Sequence, residues 1–280
     1  MKTRFSNSQF ALLTRHEKEQ ILAPLLATQL DATLVLTQDF DTDALGTFSG
    51  EIERKLNPKE CALKKAQLAC ELTGLNLGLG SEGSFTPSPY GFGIANHELI
   101  ACVDIQSGWS LIGHHYSFSS SRAQVIHNTQ ELFKFVASTP ANQGLMLRSP
   151  AGIAKGLYGL NEIEEHLTHW FGSYGLLGSA FEQELVISDD LRAHHCPERR
   201  GNIRKAMENL IARLLSPCPR CNTPGFWPDQ AHSGLPCRDC GSPTHGIKAR
   251  RAQCANCHLE QSFPTAEAAA APSHCPVCNP

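Results

Sequence analysis

The sequence predicts a mixed-sheet α/β domain followed by a small zinc-ribbon-like module with two four-cysteine sites. Three observations lead there. Segments with strand and helix periodicity alternate through the first two thirds of the chain. A length of 280 residues suits about two domains. Eight of the 12 cysteines fall into four C-x-x-C pairs in the last third. The expected boundaries are 1–215 for the α/β domain and 216–280 for the module.

In chain order, Phe10–Thr14 reads as a short apolar strand, and His16–Leu30 as a helix whose stripe is Ile21, Leu22, Leu25 and Leu26, with Pro24 distorting it. Thr33–Thr37 is β-branched and strand-like. Pro58–Thr73 is a helix with Pro58 in its first turn, Leu63, Ala66 and Cys70 on one side, and Gly74 at its end. Leu75–Leu79 returns as a strand. Leu99–Ile105 and Trp109–Tyr116 flank Gln106-Ser107-Gly108 as a hairpin. Helix Thr129–Ala137, strand Leu145–Arg148, helix Glu162–Phe171 and strand Glu184–Ile187 follow. Asn161 and Glu164 have capping-box spacing at the second of these helices. After Pro197, residues Ile203, Met207, Leu210, Ile211 and Leu214 form an amphipathic stripe that Pro217 ends. About 215 residues of this kind are enough for a full core.

Net charge is −3 and hydrophobic content 41%, as in an ordinary soluble globular protein and unlike a polybasic nucleic-acid binder. No apolar stretch approaches the roughly 18 residues a membrane span needs. The first 20 residues have no apolar signal core, so a reducing, cytoplasmic location is expected, and a disulfide scaffold fits poorly.

Cys218/Cys221, Cys237/Cys240, Cys254/Cys257 and Cys275/Cys278 are separated by 15, 13 and 17 residues. Each pair forms a knuckle that presents two thiolates, and two knuckles close a tetrahedral four-sulfur site. Four knuckles therefore imply two structural zinc ions. Asn222, Gly241 and Asn279, each directly after a knuckle, suit a tight turn with positive φ. Three pairings are open. One is sequential. In another, Cys237–Cys257 is a ribbon around a strand at 247–252, and the outer two knuckles pair. The third is an interleaved cross-brace. The run of alanines from Ala268 to Ala271 is a loop between knuckles.

Two segments carry a resemblance. Thr14-Arg15-His16-Glu17-Lys18 lies between the first strand and first helix. Glu60 to Ala66, continuing to Leu72-Thr73-Gly74, leads into Leu79-Gly80-Ser81-Glu82-Gly83. Together with Ser49-Gly50 they resemble the inosine/xanthosine triphosphate pyrophosphatase superfamily over residues 10 to about 85. The resemblance implies a nucleoside triphosphate pyrophosphatase-like hydrolase. Lys18 and Lys65 would bind phosphate, Glu82 would hold Mg²⁺, and Thr14, Ser49 and Ser81 would line the substrate. Glu60 and Asp104 would be auxiliary carboxylates. Cys61 stands where that family has Asn, and Gly80-Ser81 where many members have paired Asp. Without catalysis the same residues make an α/β core with Lys64 and Lys65 solvated on a helix face. The whole chain also resembles a bacterial family of unknown function with this layout and a C-terminal C-x-x-C-N-P, which implies the architecture and no activity.

Other polar clusters stand outside these motifs. Asp39, Asp41 and Asp43 precede a Gly-containing loop at 45–50 that suits either a cleft lining or a surface turn. In Asp189–Arg200, the side chains of Arg192, Arg199 and Arg200 suit a phosphate or carboxylate clamp, and Asp190 and His194 suit metal or proton chemistry. An ion-pair network at a domain junction reads equally well. Cys61, Cys70 and Cys102 read as small buried hydrophobes, and Cys196 as a thiol in a polar loop.

Two functions follow. One is a Mg²⁺-dependent phosphohydrolase acting on a nucleotide or related phosphorylated small molecule. The other is a non-catalytic adaptor whose zinc module binds a protein or nucleic acid through Phe226-Trp227 and Arg250-Arg251. Five basic against four acidic residues in the module disfavour nucleic acid, whose binding draws on released counterions.

Overall fold

The computed structural model describes residues 2–40, 56–89, 91–172 and 180–280, so Asp41, Asp43, the loop at 45–50 and Ser49 lie outside the described residues. The strands are β1 (Gln9–Leu13), β2 (Thr33–Thr37), β3 (Leu77–Pro87), β4 (Ile94–Asp104), β5 (Trp109–Ser119), β6 (Ala123–Asn128), β7 (Leu145–Ser149), β8 (Gly152–Leu157), β9 (Ala180–Asp189), β10 (Gln230–Ser233), β11 (Ile247–Gln253) and β12 (Glu260–Pro264). The helices are α1 (Glu19–Leu30), α2 (Pro58–Thr73), α3 (Thr129–Ala137), α4 (Gly159–Phe171) and α5 (Pro197–Leu214). The fold is mixed α/β with a cysteine-rich C-terminal region, as the sequence predicts.

The first sheet has the order β2-β1-β3-β4-β5, parallel through its first three strands and antiparallel through the last three. From β1 the chain crosses one way to β2 and returns past β1 to β3. Right-handed crossovers in opposite directions put their helices on opposite faces. Accordingly α1 packs with α5 on a core of Phe10, Leu12, Leu79 and Ile100, while α2 covers Ala11, Leu13, Leu99 and Ala101 on the other face. Alternate residues of each strand thus serve alternate cores.

Helix α2 lies close to the sheet because both surfaces are small. It presents Ala62, Ala66 and Cys70, and β3 answers with Gly78 and Gly80, where any Cβ would run into the carbonyls of Ala66 and Ala62. Its start is a capping box, Asn57 with Glu60, and its end is Gly74 in the left-handed region at φ 73°.

The second sheet, β6-β9-β7-β8, is antiparallel and packs one face on α3 and α4 through Ile126, Leu132, Leu147, Ile163, Leu167, Leu185 and Ile187. The third is β10-β11-β12, and the eight paired cysteines lie in the segments that flank and join its strands.

The structure corrects several local expectations. Strand β3 runs on to Pro87, so Glu82 is a mid-strand residue and not the end of a strand. Helix α4 begins at Gly159, with the Glu162 carboxylate accepting the Tyr158 amide at 2.7 Å; Asn161 is not its cap. β6, β8, β10 and β12 were not expected. Gly152 and Gly156 in β8 and the fully exposed residues of β10 and β12 carry no apolar alternation.

Candidate functional site

Between β1 and β3 the following connections leave in opposite directions, the topological position at which α/β folds commonly bind ligands. β1 pairs with β3 only as far as Leu12 and Leu79, so from Gly80 onward β3 runs on past β1. Lys18, at the start of α1, reaches that stretch. Its Nζ donates to the Ser81 carbonyl and to Ser81 Oγ, both at 3.1 Å. Lys18 is 6% exposed. Burial, together with the charges of Arg199 and Lys65, lowers its pKa to about 7. Thr14 is buried, its Oγ1 accepting the His16 amide at 3.3 Å.

On the other face of β3, Glu82 is also buried. Its Oε1 forms an ion pair with Lys65 and accepts the Cys61 thiol at 3.1 Å, both from α2. The close α2–β3 approach is what brings Lys65 and Cys61 within reach. Lys18 and Lys65 thus bond consecutive residues of one strand, Ser81 and Glu82, from its two faces.

A wall of polar aromatic groups stands beside this cluster. His16 stacks on His194 with centroids 5.2 Å apart, and His194 lies 3.9 Å from His195. His195 Nδ1 bonds the Tyr158 hydroxyl at 2.7 Å. Gly144 and Gly156 make room for the His195 side chain, where a Cβ would come within 2.8 Å of it. Burial and the cations Lys18, Arg199 and Arg192 hold His16 at about 3, and burial with His195 and Arg192 holds His194 at about 4. Both rings are neutral at physiological pH. Arg192 is fastened to Asp190 by its Nε and Nη2, at 3.1 and 2.6 Å, and Asp190 also accepts the Gly156 amide at 3.0 Å. The Asp189–Arg200 segment is thus an ion-pair network joining the two sheets, and Arg192 is its member nearest the histidines.

Some expected site residues go elsewhere. Glu60 is exposed and engaged by the Asn57 amide in the capping box. Asp104 Oδ1 accepts the amides of Gln106 and Ser107 and shapes the β4–β5 turn. Cys196 is buried, and that burial raises its pKa, which makes it a poor nucleophile. Cys61, Cys70 and Cys102 are buried, as expected. Phe226 is buried and Trp227 packs under the Arg213 guanidinium at 5.7 Å, so this pair forms no exposed aromatic surface.

The eight C-terminal cysteines form two groups, Cys218/Cys221/Cys254/Cys257 and Cys237/Cys240/Cys275/Cys278, each with its sulfurs within 4.8 Å of one another. First pairs with third and second with fourth: the interleaved cross-brace. Facing sulfurs stand 3.5 and 3.6 Å apart in the first group and 3.6 and 3.9 Å in the second. A tetrahedral ion with bonds of about 2.3 Å needs sulfurs about 3.8 Å apart, so each group could hold one zinc ion. In every knuckle the residue after the second cysteine donates its amide to the first cysteine's carbonyl, at 2.9–3.1 Å. Asn222, Gly241 and His258 do so with φ of 60°, 74° and 57°; Asn279 does so without positive φ.

The chain matches a known family model over residues 65–280, described as Domain of unknown function (DUF6671). The chain belongs to the DUF6671 family. The match takes in Lys65, Glu82, Arg192 and all eight paired cysteines of this DUF6671 protein, and begins after Thr14 and Lys18. No curated protein and no solved structure matches it. Among the described residues no helix is long and apolar enough to cross a membrane.

The polar residues that sequence reasoning missed are Glu98, Asn96, Asn202 and Tyr158. Asn96 and Glu98 lie on the same face of β4 as the apolar Ile100 and Cys102. Two polar residues continuing an apolar stripe were the available signal.

Proposed function

We propose that this protein is a Mg²⁺-dependent phosphohydrolase acting on a nucleotide or related phosphorylated small molecule. The observation that supports the reading is that Lys18 and Lys65 bond adjacent residues, Ser81 and Glu82, of one strand near the carboxyl end of β1, where α/β folds commonly bind ligands. Lys18 and Lys65 neutralise phosphate charge, and Ser81 adds a hydroxyl. Arg192 and the neutral His16–His194 stack form the opposite wall, which limits water access. Glu82, paired with Lys65 on the side of α2, would be the residue that holds Mg²⁺. Mg²⁺ suits a single carboxylate with phosphate and water oxygens, and it would supply charge neutralisation and a polarised water.

We further propose that both cysteine groups hold structural zinc and that residues 216–280 form a module distinct from the 1–215 body. A closed four-sulfur site leaves no position for a reacting water, so the module's metals hold shape only. Eight reduced thiolates suit a reducing compartment, the cytoplasm.

The test is a panel of nucleoside triphosphates with Mg²⁺, read by phosphate and pyrophosphate release. Glu82→Gln is expected to lower turnover at least about 100-fold while zinc content stays the same. Full activity in Glu82→Gln would sink the mechanism.

A further inference from the structure

At the start of α5 a second buried ion pair stands beside the cluster and takes no part in the chemistry proposed above. Arg199 donates Nε to Glu98 Oε1 at 2.7 Å and Nη2 to Glu98 Oε2 at 3.5 Å. Its Nη1 donates to the Leu191 carbonyl at 2.7 Å. Glu98 is 0% and Arg199 2% exposed. The carboxylate is held from behind: Asn96 Nδ2 donates to Glu98 Oε1 at 3.0 Å, and Asn202 Nδ2 donates to Asn96 Oδ1 at 2.9 Å and to Ser117 Oγ at 2.8 Å. On the neighbouring strand, Gly83 pairs with Glu98, and a Cβ there would collide with the Arg199 guanidinium and the Glu98 carboxylate. This glycine is required by the close approach of the pair, not by its backbone angles.

We infer that the Glu98–Arg199 pair is the positioning device of this site: it ties the 190–195 segment to the first sheet, so that Arg192, His194 and His195 stand against the Lys18–Glu82 cluster. A buried ion pair is seldom the most stable filling for a core, and an apolar pair of similar volume would often serve as well. What the guanidinium adds is direction. Its fork spans Glu98 of β4 and the Leu191 carbonyl, while Asp190, one residue earlier, is fixed to the second sheet through the Gly156 amide. The segment is thereby pinned at adjacent residues to both sheets. Both cations of this segment are paired within the protein, Arg199 with Glu98 and Arg192 with Asp190. Arg199 is a positioning residue, and the clamp suggested for it by the sequence is a clamp on the protein's own backbone.

Only one arm of the test rests on the phosphohydrolase reading. The full-length protein and three variants are compared by ¹H–¹⁵N imidazole spectra, and by calorimetric titration with inorganic pyrophosphate and Mg²⁺. Arg199→Lys keeps the charge but cannot span both acceptors. Gly83→Ala pushes the intact pair out of place. Asn202→Ala loosens the far end of the network without touching Leu191. In the first two variants the His194 and His195 imidazole resonances are expected to move and pyrophosphate affinity to fall about tenfold or more. In Asn202→Ala the imidazole resonances should stay. Unmoved resonances in both Arg199→Lys and Gly83→Ala, or an equal shift in Asn202→Ala, would overturn the inference. If the unaltered protein binds no pyrophosphate, the phosphate reading falls, and the imidazole spectra still decide the positioning role.

Discussion

Lys18 has the environment of a group that changes charge when a ligand arrives. Burial and nearby cations bring its pKa to about 7, so above neutrality much of it is uncharged in the free protein. A phosphate beside Nζ favours the ammonium form, and binding at pH 8 should therefore take up a proton. Titration with pyrophosphate in buffers of different ionisation enthalpy would show this as a buffer-dependent heat, and Lys18→Met would remove it. The two histidines act on stability. Unfolded, His16 and His194 take up protons as pH falls through 6.5; folded, they resist until about 3 and 4. The unfolded state binds more protons in that window, so stability falls as pH drops from 6.5 toward 3. His16→Gln should flatten the decline of Tm between those values.

At the scale of elements, the α2–β3 contact is the most exacting joint. Gly80→Ala places a methyl against the Ala62 carbonyl and should cost about 1–3 kcal/mol by denaturant unfolding, because neither backbone can yield without moving Lys65 away from Glu82. The knuckle pairing has an equally sharp test. Cys221→Ser with Cys254→Ser should remove one zinc ion, whereas Cys221→Ser with Cys240→Ser should remove both; sequential pairing would give the reverse. What the sequence revealed of these elements followed their burial. Stripes such as Ile203 to Leu214 announce themselves because a core selects them. Exposed β10 and β12, and the Gly-containing β8, carry no such pattern. Lys18, Lys65 and Glu82 could be singled out because they sit in short motifs. The pairing of Glu98 with Arg199 could not be, since the two lie 101 residues apart, and Arg199 reads as part of an anion clamp until the fold brings Glu98 to it.

Across the whole molecule, α5 joins the two regions where function is proposed. Its first turn carries Arg199 at the candidate site. Its last turn carries Arg213, which forms a bidentate pair with Asp229 at 2.6 and 2.7 Å, and the Arg213 carbonyl accepts the Gly225 amide. Ser216 and Phe226 exchange two further bonds just beyond, so the first cysteine group is seated against the helix end. The second group has two exposed cysteines, Cys240 and Cys278. The cross-brace also bears on how the chain is made. Cys237 and Cys240 lie inside the loop that the first group closes, and their partners follow after it. During synthesis the first centre can close as soon as Cys257 has emerged, enclosing a knuckle that still waits for Cys275 and Cys278. Metal loading would then be ordered, inner seat before outer, and a chain stopped after β12 would keep one finished centre and one open pair of thiolates.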